Sequence, residues 1–410
     1  MIKIKVNPED FIVEEIADIP MKKEGGFGVY LLKKTGWNTV DVIKRISKSL
    51  NIPFSDFSYG GKKDRYALTT QFITIARHGY DQIDLPHPPQ SPFKRLGIKE
   101  ICEENYSLSF VGFMDRPMGP NLIKGNKFEI TIRGLTEDDL KSSLSEIESV
   151  KKYGYPNYFD DQRFGSFDPK QGFIAEKIMM KHYNGALKIY LTHIRPEDKK
   201  EEKERKRFFF ENWSKWQLCL GMAKSGFEKM SFEYLMREPK GFIPILQKIS
   251  HEEMSTFFSA YQSHLWNELL RRIIKSECEG SLNIYKGVAG NYLFYNRLNA
   301  EHYEYLSSLY IPTPASNVRM PDPLTETLYS EVLKDNNLKT SMFNIRKIRQ
   351  AFFKGTERKA IILPEDLSFD YSEDEIYHGQ KKLTLKFFLP RGCFGTMLIK
   401  RLFIQPDFRV

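Results

Sequence analysis

Lys127-Phe128-Glu129-Ile130-Thr131-Ile132-Arg133 alternates apolar and polar side chains, which is the period of a strand with one buried face. Residues 136–147 (TEDDLKSSLSEI) change to helical spacing, with apolar residues recurring every three or four positions. The pattern Thr136-x-x-Asp139 resembles a capping box and predicts that a helix begins there. A strand that leads directly into an amphipathic helix indicates a fold with both kinds of element.

Further strand patterns lie towards both ends of the chain. Residues 2–6 alternate apolar side chains with Lys, and residues 71–77 and 106–113 also predict strands. Residues 382–389 (KLTLKFFL) predict a strand near the other end. Residues 38–51 predict a helix with one apolar face.

The middle of the chain has a different pattern. From residue 166 to residue 350 the apolar spacing is mostly helical, for example at Phe257, Tyr261, Leu265 and Leu269. Residues 196–207 (PEDKKEEKERKR) are a run of mixed charge, typical of a solvated helix or loop. Residues 84–92 (DLPHPPQSP) predict a Pro-rich surface loop.

These patterns predict an α+β fold with two domains. A mixed sheet-and-helix body comprises residues 1–155 and 351–410, and a largely helical domain is inserted at residues 156–350. The length of 410 residues is consistent with two to three domains.

The composition excludes several classes of protein. The 31 Phe, 21 Tyr and 4 Trp supply enough bulky apolar area for a core, which argues against disorder. No uncharged apolar run approaches the roughly 18 residues of a membrane span, and residues 1–5 lack the apolar region of a signal peptide. We therefore expect a soluble cytoplasmic protein without a membrane partner. The four cysteines lie too far apart for a zinc ribbon or a disulfide framework and predict reduced thiols.

The net charge indicates the kind of partner. Lys and Arg number 62 and Asp and Glu number 53, which gives a net charge of +9. Together with the many aromatic residues, this charge suits a polyanion, above all a nucleic acid. Nothing in the sequence fixes the oligomeric state, for which we expect a monomer.

The motifs of metal, nucleotide and serine chemistry are incomplete or missing. His251-Glu252-Glu253-Met254-Ser255 begins like the zinc motif H-E-x-x-H but has Ser where the second ligand belongs. Gly25-Gly26-Phe27-Gly28 does not continue as a dinucleotide fingerprint, and neither a P-loop nor a G-x-S-x-G elbow occurs. We predict that the protein uses no metal and no cofactor.

The densest group of reactive side chains lies in residues 59–71 (YGGKKDRYALTTQ). Two glycines allow a tight turn, and three cations surround Asp64. Neighbouring cations favour the carboxylate form, so Asp64 is a candidate nucleophile or base. The same cations could hold RNA phosphates. The alternative is a charged surface turn that leads into the strand at residues 71–77.

The order of these residues resembles the signature of the TruD family of pseudouridine synthases, Gly61-x-Lys63-Asp64-x-x-Ala67-x-Thr69-x-Gln71. Five further segments are similar to motifs of that family, in the family's order and over nearly the whole chain. They are residues 5–15 (KVNPEDFIVEE), 124–128 (KGNKF), 156–165 (PNYFDDQRFG), 259–267 (SAYQSHLWN, similar to the archaeal and eukaryotic form) and 389–396 (LPRGCFGT).

The chain departs from the family pattern in two places. The closing motif usually continues into an Arg-Glu pair, and this chain has Lys400-Arg401. Asp160 stands where a glycine is common. Both departures bear on local packing or RNA contacts, and neither involves Asp64.

The resemblance implies a tRNA pseudouridine synthase that acts on uridine-13 of tRNA, with a pseudouridine synthase body and a family-specific inserted domain. The reaction breaks the N-glycosidic bond, rotates the base and rejoins it through carbon, so that no group enters or leaves. The resemblance implies that Asp64 is the catalytic carboxylate. Two roles remain open for it: attack on the base, or removal of a proton from the ribose.

The resemblance also implies roles for residues that would bind the substrate. Lys5 would keep Asp64 ionised, and Phe128 would stack on the target base. The alternatives are a solvated strand lysine for Lys5 and a core residue for Phe128. Surface, turn or structural hydrogen-bonding roles compete with substrate binding for the other candidates, which are Lys63, Asn126, Asn157, Gln162 and Arg163.

Two other functions compete with this prediction. A non-catalytic RNA-binding or RNA-chaperone protein with the same fold would show the same charge and aromatic residues, but it would not need a carboxylate at Asp64. A glycosidase acting on nucleosides would normally use a second acid as proton donor, and the turn at 59–71 contains only Asp64.

Overall fold

The computed structural model describes residues 2–77, 100–278, 280 and 282–404. The predicted loop at residues 84–92 lies outside them. No helix within these ranges has the length and apolar character that crossing a membrane requires. The chain divides into two compact units. Unit 1 comprises Met1–Gly154 with Leu363–Val410, and unit 2 comprises Tyr155–Ile362.

The first part of unit 1 is mainly strands. Its elements are β1 (Lys3–Ile4), β2 (Phe11–Ala17), β3 (Phe27–Thr35), α1 (Thr39–Leu50), β4 (Phe57–Tyr59), β5 (Leu68–Ala76), β6 (Glu100–Glu103), β7 (Tyr106–Met114), β8 (Ile123–Leu135) and α2 (Glu137–Tyr153). The predicted capping box is present at the start of α2, where the Asp139 backbone NH donates to Oγ1 of Thr136 at 3.1 Å.

Unit 2 is mainly helical. Its elements are β9 (Tyr155–Pro156), α3 (Ile174–Met179), α4 (Tyr183–Thr192), α5 (Lys200–Glu211), α6 (Trp216–Met222), α7 (Gly226–Arg237), α8 (Phe242–Leu246), α9 (His251–Glu277), β10 (Asn283–Gly287), β11 (Gly290–Phe294), α10 (Ala300–Ser308), β12 (Tyr310–Pro312), α11 (Pro323–Asp335), β13 (Glu357–Lys359) and β14 (Ile361–Ile362). Antiparallel pairing of β9 with β14 joins the two ends of the unit. The unit therefore extends to Ile362, beyond the position 350 expected from the sequence.

The chain returns to unit 1 through β15 (Glu365–Glu373), β16 (Lys381–Pro390) and α12 (Gly395–Leu402). The sheet of unit 1 has the strand order β15-β16-β8-β2-β5-β3-β7-β6, with β1 also paired to β8 and β4 to β5. β2 and β5 are parallel, and the other described pairs of this sheet are antiparallel. The mixed sheet with its helices confirms the predicted α+β class.

Helices cover parts of this sheet and complete the core of unit 1. The apolar face of α1 (Val42, Ile43, Ile46) packs into one buried cluster with Tyr30 and Leu32 of β3. Arg401 of α12 is buried, and its Nη1 lies 2.6 Å from Oε2 of Glu146 on α2. Arg401, which belongs to the Lys400-Arg401 pair that departs from the family's closing motif, therefore ties two helices of unit 1 together.

Candidate active site

Asp64 lies in the turn of residues 60–67, immediately before β5. Because β2 and β5 are parallel neighbours, with Ile12 opposite Leu68, the loops that precede the two strands lie at the same edge of the sheet. The loop before β2 carries Lys5, whose Nζ lies 2.5 Å from Oδ2 of Asp64. The strand order thus brings together two residues that are far apart in the sequence.

A buried hydrogen-bond network fixes the backbone of the Asp64 turn. Oγ1 of Thr39, at the start of α1, accepts from the backbone NH of Lys63 (3.0 Å) and donates to Oε1 of Gln71 (2.8 Å). Nε2 of Gln71 donates to the carbonyl of Gly61 (3.1 Å). Thr39 and Gln71 are buried, so their polar groups satisfy one another away from water.

The loop that carries Lys5 is held in an unusual conformation. Lys5 has a φ of 57°, in the left-handed region that costs an L residue about 1–2 kcal/mol. The loop is fixed through Asp10, whose Oδ2 accepts from the backbone NH of Asn7 (2.9 Å) and whose Oδ1 lies 2.8 Å from Nη2 of Arg133. Arg133 is buried and also binds Asp374. This buried ion cluster supports the conformation in which Lys5 reaches Asp64.

A second lysine contacts the main chain of the turn. Lys34, near the end of β3, is fully buried, and its Nζ donates to the backbone carbonyl of Asp64 at 2.6 Å. Lysine is almost never buried to this depth without a partner. The register explains its place, because Lys34 lies opposite Thr69 on β5. Lys34 therefore ties the Asp64 turn to the sheet.

These contacts determine the charge of Asp64. Burial disfavours the carboxylate, but the ion pair with Lys5, the backbone NH of Tyr66 (3.0 Å) and the charge of Lys34 outweigh it and hold the pKa of Asp64 below its ordinary value. Burial lowers the pKa of Lys34 to about 8, with Asp64 opposing the shift and Lys63 adding to it. Asp64 is thus an anion at neutral pH, as a nucleophile or general base must be.

Lys63 and Asn126 form a neighbouring polar group. Nζ of Lys63 lies 2.7 Å from Oε2 of Glu15 and donates to Oδ1 of Asn126 at 2.7 Å. Glu15 on β2 and Asn126 on β8 are opposite each other in register, which explains why one lysine reaches both. The Glu15 side chain is fully buried and also accepts from the backbone NH of Phe72 (3.1 Å).

Phe128 lies two residues after Asn126 on β8 and is 8% exposed. Its ring stacks on Phe387 at 5.2 Å and meets the edge of Phe11 at 6.4 Å. Nζ of Lys5 lies 4.4 Å from the centre of the Phe11 ring, so Phe11 links Phe128 to the Lys5–Asp64 pair. Phe128 packs as a core residue, and its role as a stacking platform stays a prediction.

The candidates of residues 156–165 belong to unit 2. Asn157 is buried, its Oδ1 accepts from Nη2 of Arg358 (2.6 Å), and its Nδ2 donates to the carbonyl of Lys359 (3.1 Å). Arg358 also donates to the carbonyl of Asn157 (2.8 Å) and lies over the ring of Phe159 at 4.2 Å. These contacts give Asn157 a structural task within unit 2.

Gln162 and Arg163 lie on the short 3₁₀ helix Asp161–Phe164 and are exposed. Nε of Arg163 donates to Oγ of Ser263 on α9 at 3.4 Å. Their exposure leaves both side chains accessible to a partner, and substrate binding by them stays a prediction.

The motif at residues 259–267 supports the motif at residues 156–165. Oδ1 of Asn267 accepts from the backbone NH of Phe159 and its Nδ2 donates to the carbonyl of Phe159, both at 2.9 Å. The Phe159 ring also meets the edge of Trp266 at 5.5 Å. Asn267 thus pairs with a backbone segment as a neighbouring strand would, and the two motifs form one structural group.

Comparison with known families matches residues 1–402 to the model of tRNA pseudouridine synthase D (TruD). The match runs from the first strands through α12 and covers nearly the whole chain. The chain belongs to this family. The resemblance found in the sequence is therefore confirmed, and the protein is an isomerase of the pseudouridine synthase type.

Curated relatives and a solved structure agree with this assignment. The chain is 32% identical to "Probable tRNA pseudouridine synthase D 1" of Methanococcus maripaludis, over 98% of this chain and 99% of the relative. It is 30% identical to tRNA pseudouridine synthase D of Leptospira interrogans, over 98% of this chain and 96% of the relative. The crystal structure of a Methanosarcina mazei protein described as a TruD protein shares the fold, with a TM-score of 0.69, 23% identity and coverage of 97% of this chain and 92% of that one.

Three residues that hold the Asp64 turn, the Lys5 loop and the Asn157 segment in place are not identified by the sequence patterns. Lys34 had a usable signal, because it follows the buried Tyr30 and Leu32 at the two-residue period of a strand. Arg133 ends the predicted strand at 127–133, but its acidic partners are remote in the sequence. Arg358 lies in a basic stretch without a distinguishing pattern. Across the described ranges, no group of three or more His, Cys, Asp or Glu side chains is placed to hold a metal ion.

Proposed function

We propose that this protein converts uridine to pseudouridine in tRNA, that the target is uridine-13, and that Asp64 is the catalytic carboxylate. The observation that carries the proposal is the Asp64 turn, where a carboxylate is kept ionised by the 2.5 Å ion pair with Lys5. Family membership supplies the reaction and the substrate class. A tRNA substrate is also the reason for proposing a cytoplasmic location.

The conversion of uridine to pseudouridine requires an ionised carboxylate, and the groups around Asp64 provide one. The bond between N1 of the base and C1′ of the ribose breaks, a bond between C5 and C1′ forms, and the proton on C5 is exchanged for one on N1. Atoms and electrons balance without an oxidant or a second substrate. An ionised carboxylate can begin this sequence by attack or by removal of a ribose proton, and Lys5 favours the ionised form in either case.

The other candidates have supporting roles in the proposal. Phe128 provides an aromatic face for a base taken out of its stack. Lys63 and Asn126, which bind each other at 2.7 Å, position the nucleotide beside Asp64. Gln162 and Arg163 offer exposed polar groups to RNA, and Asn157 keeps their segment in place.

The test is to map pseudouridine in an unmodified tRNA transcript after incubation with purified protein. Uridine and pseudouridine have the same mass, so pseudouridine is first marked by an alkylating reagent that adds to its free N1, and fragments are then identified by mass spectrometry. We expect one marked position, uridine-13. Marking at another position would contradict the proposed target. The absence of any marked position would contradict the proposed reaction.

Asp64→Asn tests the catalytic residue in the same assay. The substitution keeps the shape of the side chain and removes its charge, so product formation should fall by on the order of a thousandfold or more, with tRNA affinity within a few fold of wild type. Asp138→Asn, an exposed aspartate in the first turn of α2, is the matched control and should retain full activity. An Asn variant that forms more than a few per cent of the wild-type product would exclude Asp64 from the mechanism.

A further inference from the structure

Unit 2 carries a stretch with many cations and no acid. Residues 339–356 (KTSMFNIRKIRQAFFKGT), which we name the basic segment, contain five Lys or Arg and neither Asp nor Glu. All five cations are exposed. Within the described part of the chain, none of them takes part in an ion pair. They are Lys339, Arg346, Lys347, Arg349 and Lys354.

The basic segment is held firmly, although most of it lacks regular secondary structure. Ile348 is fully buried, and the ring of Phe353 packs against Phe258 at 5.0 Å and Phe343 at 4.9 Å. Hydrogen bonds from elsewhere in unit 2 reach its backbone at the carbonyl oxygens of Lys347 (2.8 Å) and Lys354 (3.0 Å). The exposed cations therefore project from a fixed backbone, and binding would not have to order it.

One aromatic side chain of the basic segment points to solvent. Phe352 is 61% exposed, the highest value for any phenylalanine in the described residues, whereas the adjacent Phe353 is 6% exposed. Phe353 thus packs into the core of unit 2, and Phe352 lies outside that core. Proteins bind single-stranded nucleic acid through exposed cations, which contact the backbone, and exposed aromatic rings, on which bases stack.

The charge run at residues 196–207 shows that charge density does not by itself create such a surface. Lys206 binds Asp198 at 2.6 Å and Glu202 at 2.8 Å, and Arg205 binds Glu228 at 3.0 Å. Lys206 and Arg205 are neutralised inside unit 2, where they join α5 to its surroundings, and the exposed cations of the run stand among five acidic residues. The cations of the basic segment have no ion-pair partner among the residues that the structure describes, and the segment itself contains no acid.

We propose that the basic segment is an RNA-binding surface, on which the cations contact phosphates and Phe352 stacks on an unpaired base. The proposal rests on the proposed function for the identity of the RNA as tRNA. A lipid surface would require several apolar side chains to insert, and Phe352 is the only large apolar side chain of the segment that is exposed. A protein partner is disfavoured because charged residues are depleted at the centres of protein interfaces, and five exposed cations without an acid stand together here.

The first test is the triple variant Arg346→Gln/Lys347→Gln/Arg349→Gln, measured for binding to an unmodified tRNA transcript at several salt concentrations. Loss of three phosphate contacts should weaken binding at least tenfold near 0.1 M salt and should make the plot of log affinity against log salt shallower by about two. The matched control is Lys199→Gln/Lys200→Gln/Arg207→Gln, which removes the same charge from exposed positions of the run at 196–207 and should change affinity less than threefold.

The second test separates stacking from charge. Phe352→Ala should weaken binding about tenfold with an unchanged salt dependence, because no phosphate contact is lost. Phe210→Ala, an exposed phenylalanine on α5, is its control and should bind like wild type. All the altered side chains are exposed, so circular dichroism and the melting temperature should match wild type and exclude misfolding.

The outcomes distinguish this inference from the proposed function. Wild type that forms pseudouridine, with a triple variant that binds tRNA like its control, overturns the RNA surface and leaves the enzyme. Wild type that binds RNA through the basic segment but forms no pseudouridine overturns the reaction and leaves the surface. In the pseudouridine assay the triple variant should show at least a tenfold lower kcat/KM for tRNA, and its control should match wild type within threefold.

Discussion

The lysines around Asp64 and the cations of the basic segment are the same kinds of residue in opposite surroundings. Lys5, Lys34 and Lys63 are largely or fully buried, and each makes a contact of 2.7 Å or less with an acidic residue of the site, through a carboxylate or, for Lys34, a backbone carbonyl. The cations of the basic segment are exposed and unpaired among the described residues. A buried charge must be paired, because its desolvation costs several kcal/mol. The buried lysines therefore stabilise the structure around Asp64, while the exposed cations of the basic segment are accessible to a partner.

In both groups, the role of a cation depends on whether another group of the protein already satisfies its charge. Around Asp64 the lysines keep one carboxylate ionised and fix its turn. In the basic segment the positive charge is uncompensated, so an incoming polyanion can gain from it at low desolvation cost. Substitutions in the first group should therefore change stability and the pH dependence of catalysis, and substitutions in the second should change binding.

The largest effect should come from separating Lys63 from Glu15. Lys63→Met leaves a fully buried carboxylate without its cation and should lower the free energy of unfolding by about 3–5 kcal/mol. Adding Glu15→Leu should restore most of the loss, because no charge is then buried alone. Denaturant titration measures both variants, with Lys33→Met, an exposed lysine of β3, as the control. A stable Lys63→Met protein would contradict the structural role of this pair.

The next effect concerns the pH dependence of catalysis. In the proposed mechanism Asp64 acts as the carboxylate, and its lowered pKa means that activity should be lost only as the pH falls below the ordinary range of an aspartate. Lys5→Met removes the cation that lowers this pKa, so the acid limb of kcat/KM should move up by about one to three pH units. Lys3→Met removes an exposed lysine of β1, two residues before Lys5, and should leave the acid limb unchanged. Identical acid limbs for both variants would mean that Lys5 does not set the charge of Asp64.

A smaller effect is expected at Phe128. Phe128→Leu keeps an apolar side chain in the core but removes the aromatic face, so turnover should fall roughly tenfold at saturating tRNA while the salt dependence of binding stays as in wild type. Phe128→Tyr retains the ring and should retain most of the activity. Wild-type turnover by a folded Phe128→Leu protein would assign Phe128 to the core only.

The smallest effect should be on the stability of the basic segment. Arg346→Gln/Lys347→Gln/Arg349→Gln removes exposed, unpaired cations and should change the free energy of unfolding by less than about 0.5 kcal/mol in denaturant titration. A loss comparable to that of Lys63→Met would show that these cations are structural, and the contrast between the two groups would then disappear.

Part of the fold follows from local sequence patterns. The strand at 127–133, the capping box at Thr136 and the helix at 38–51 correspond to β8, the start of α2 and α1. The sequence patterns do not predict strands β2 and β3, because both contain consecutive apolar residues, at 11–13 and 29–32, and not a clear alternation. Glu15 and Lys34 add charged residues at buried positions of these strands, where a core residue is normally apolar.

The α+β class, the family and the candidate carboxylate Asp64 follow from local sequence patterns, because each motif consists of residues that are close together in the chain. The surroundings of Asp64 depend instead on tertiary contacts. Lys5 meets it because β2 and β5 are parallel neighbours, and Lys34 lies beneath it because β3 pairs with β5. Strand order and register arise from the packing of the whole sheet, and a one-residue change in register would turn these side chains to the other face.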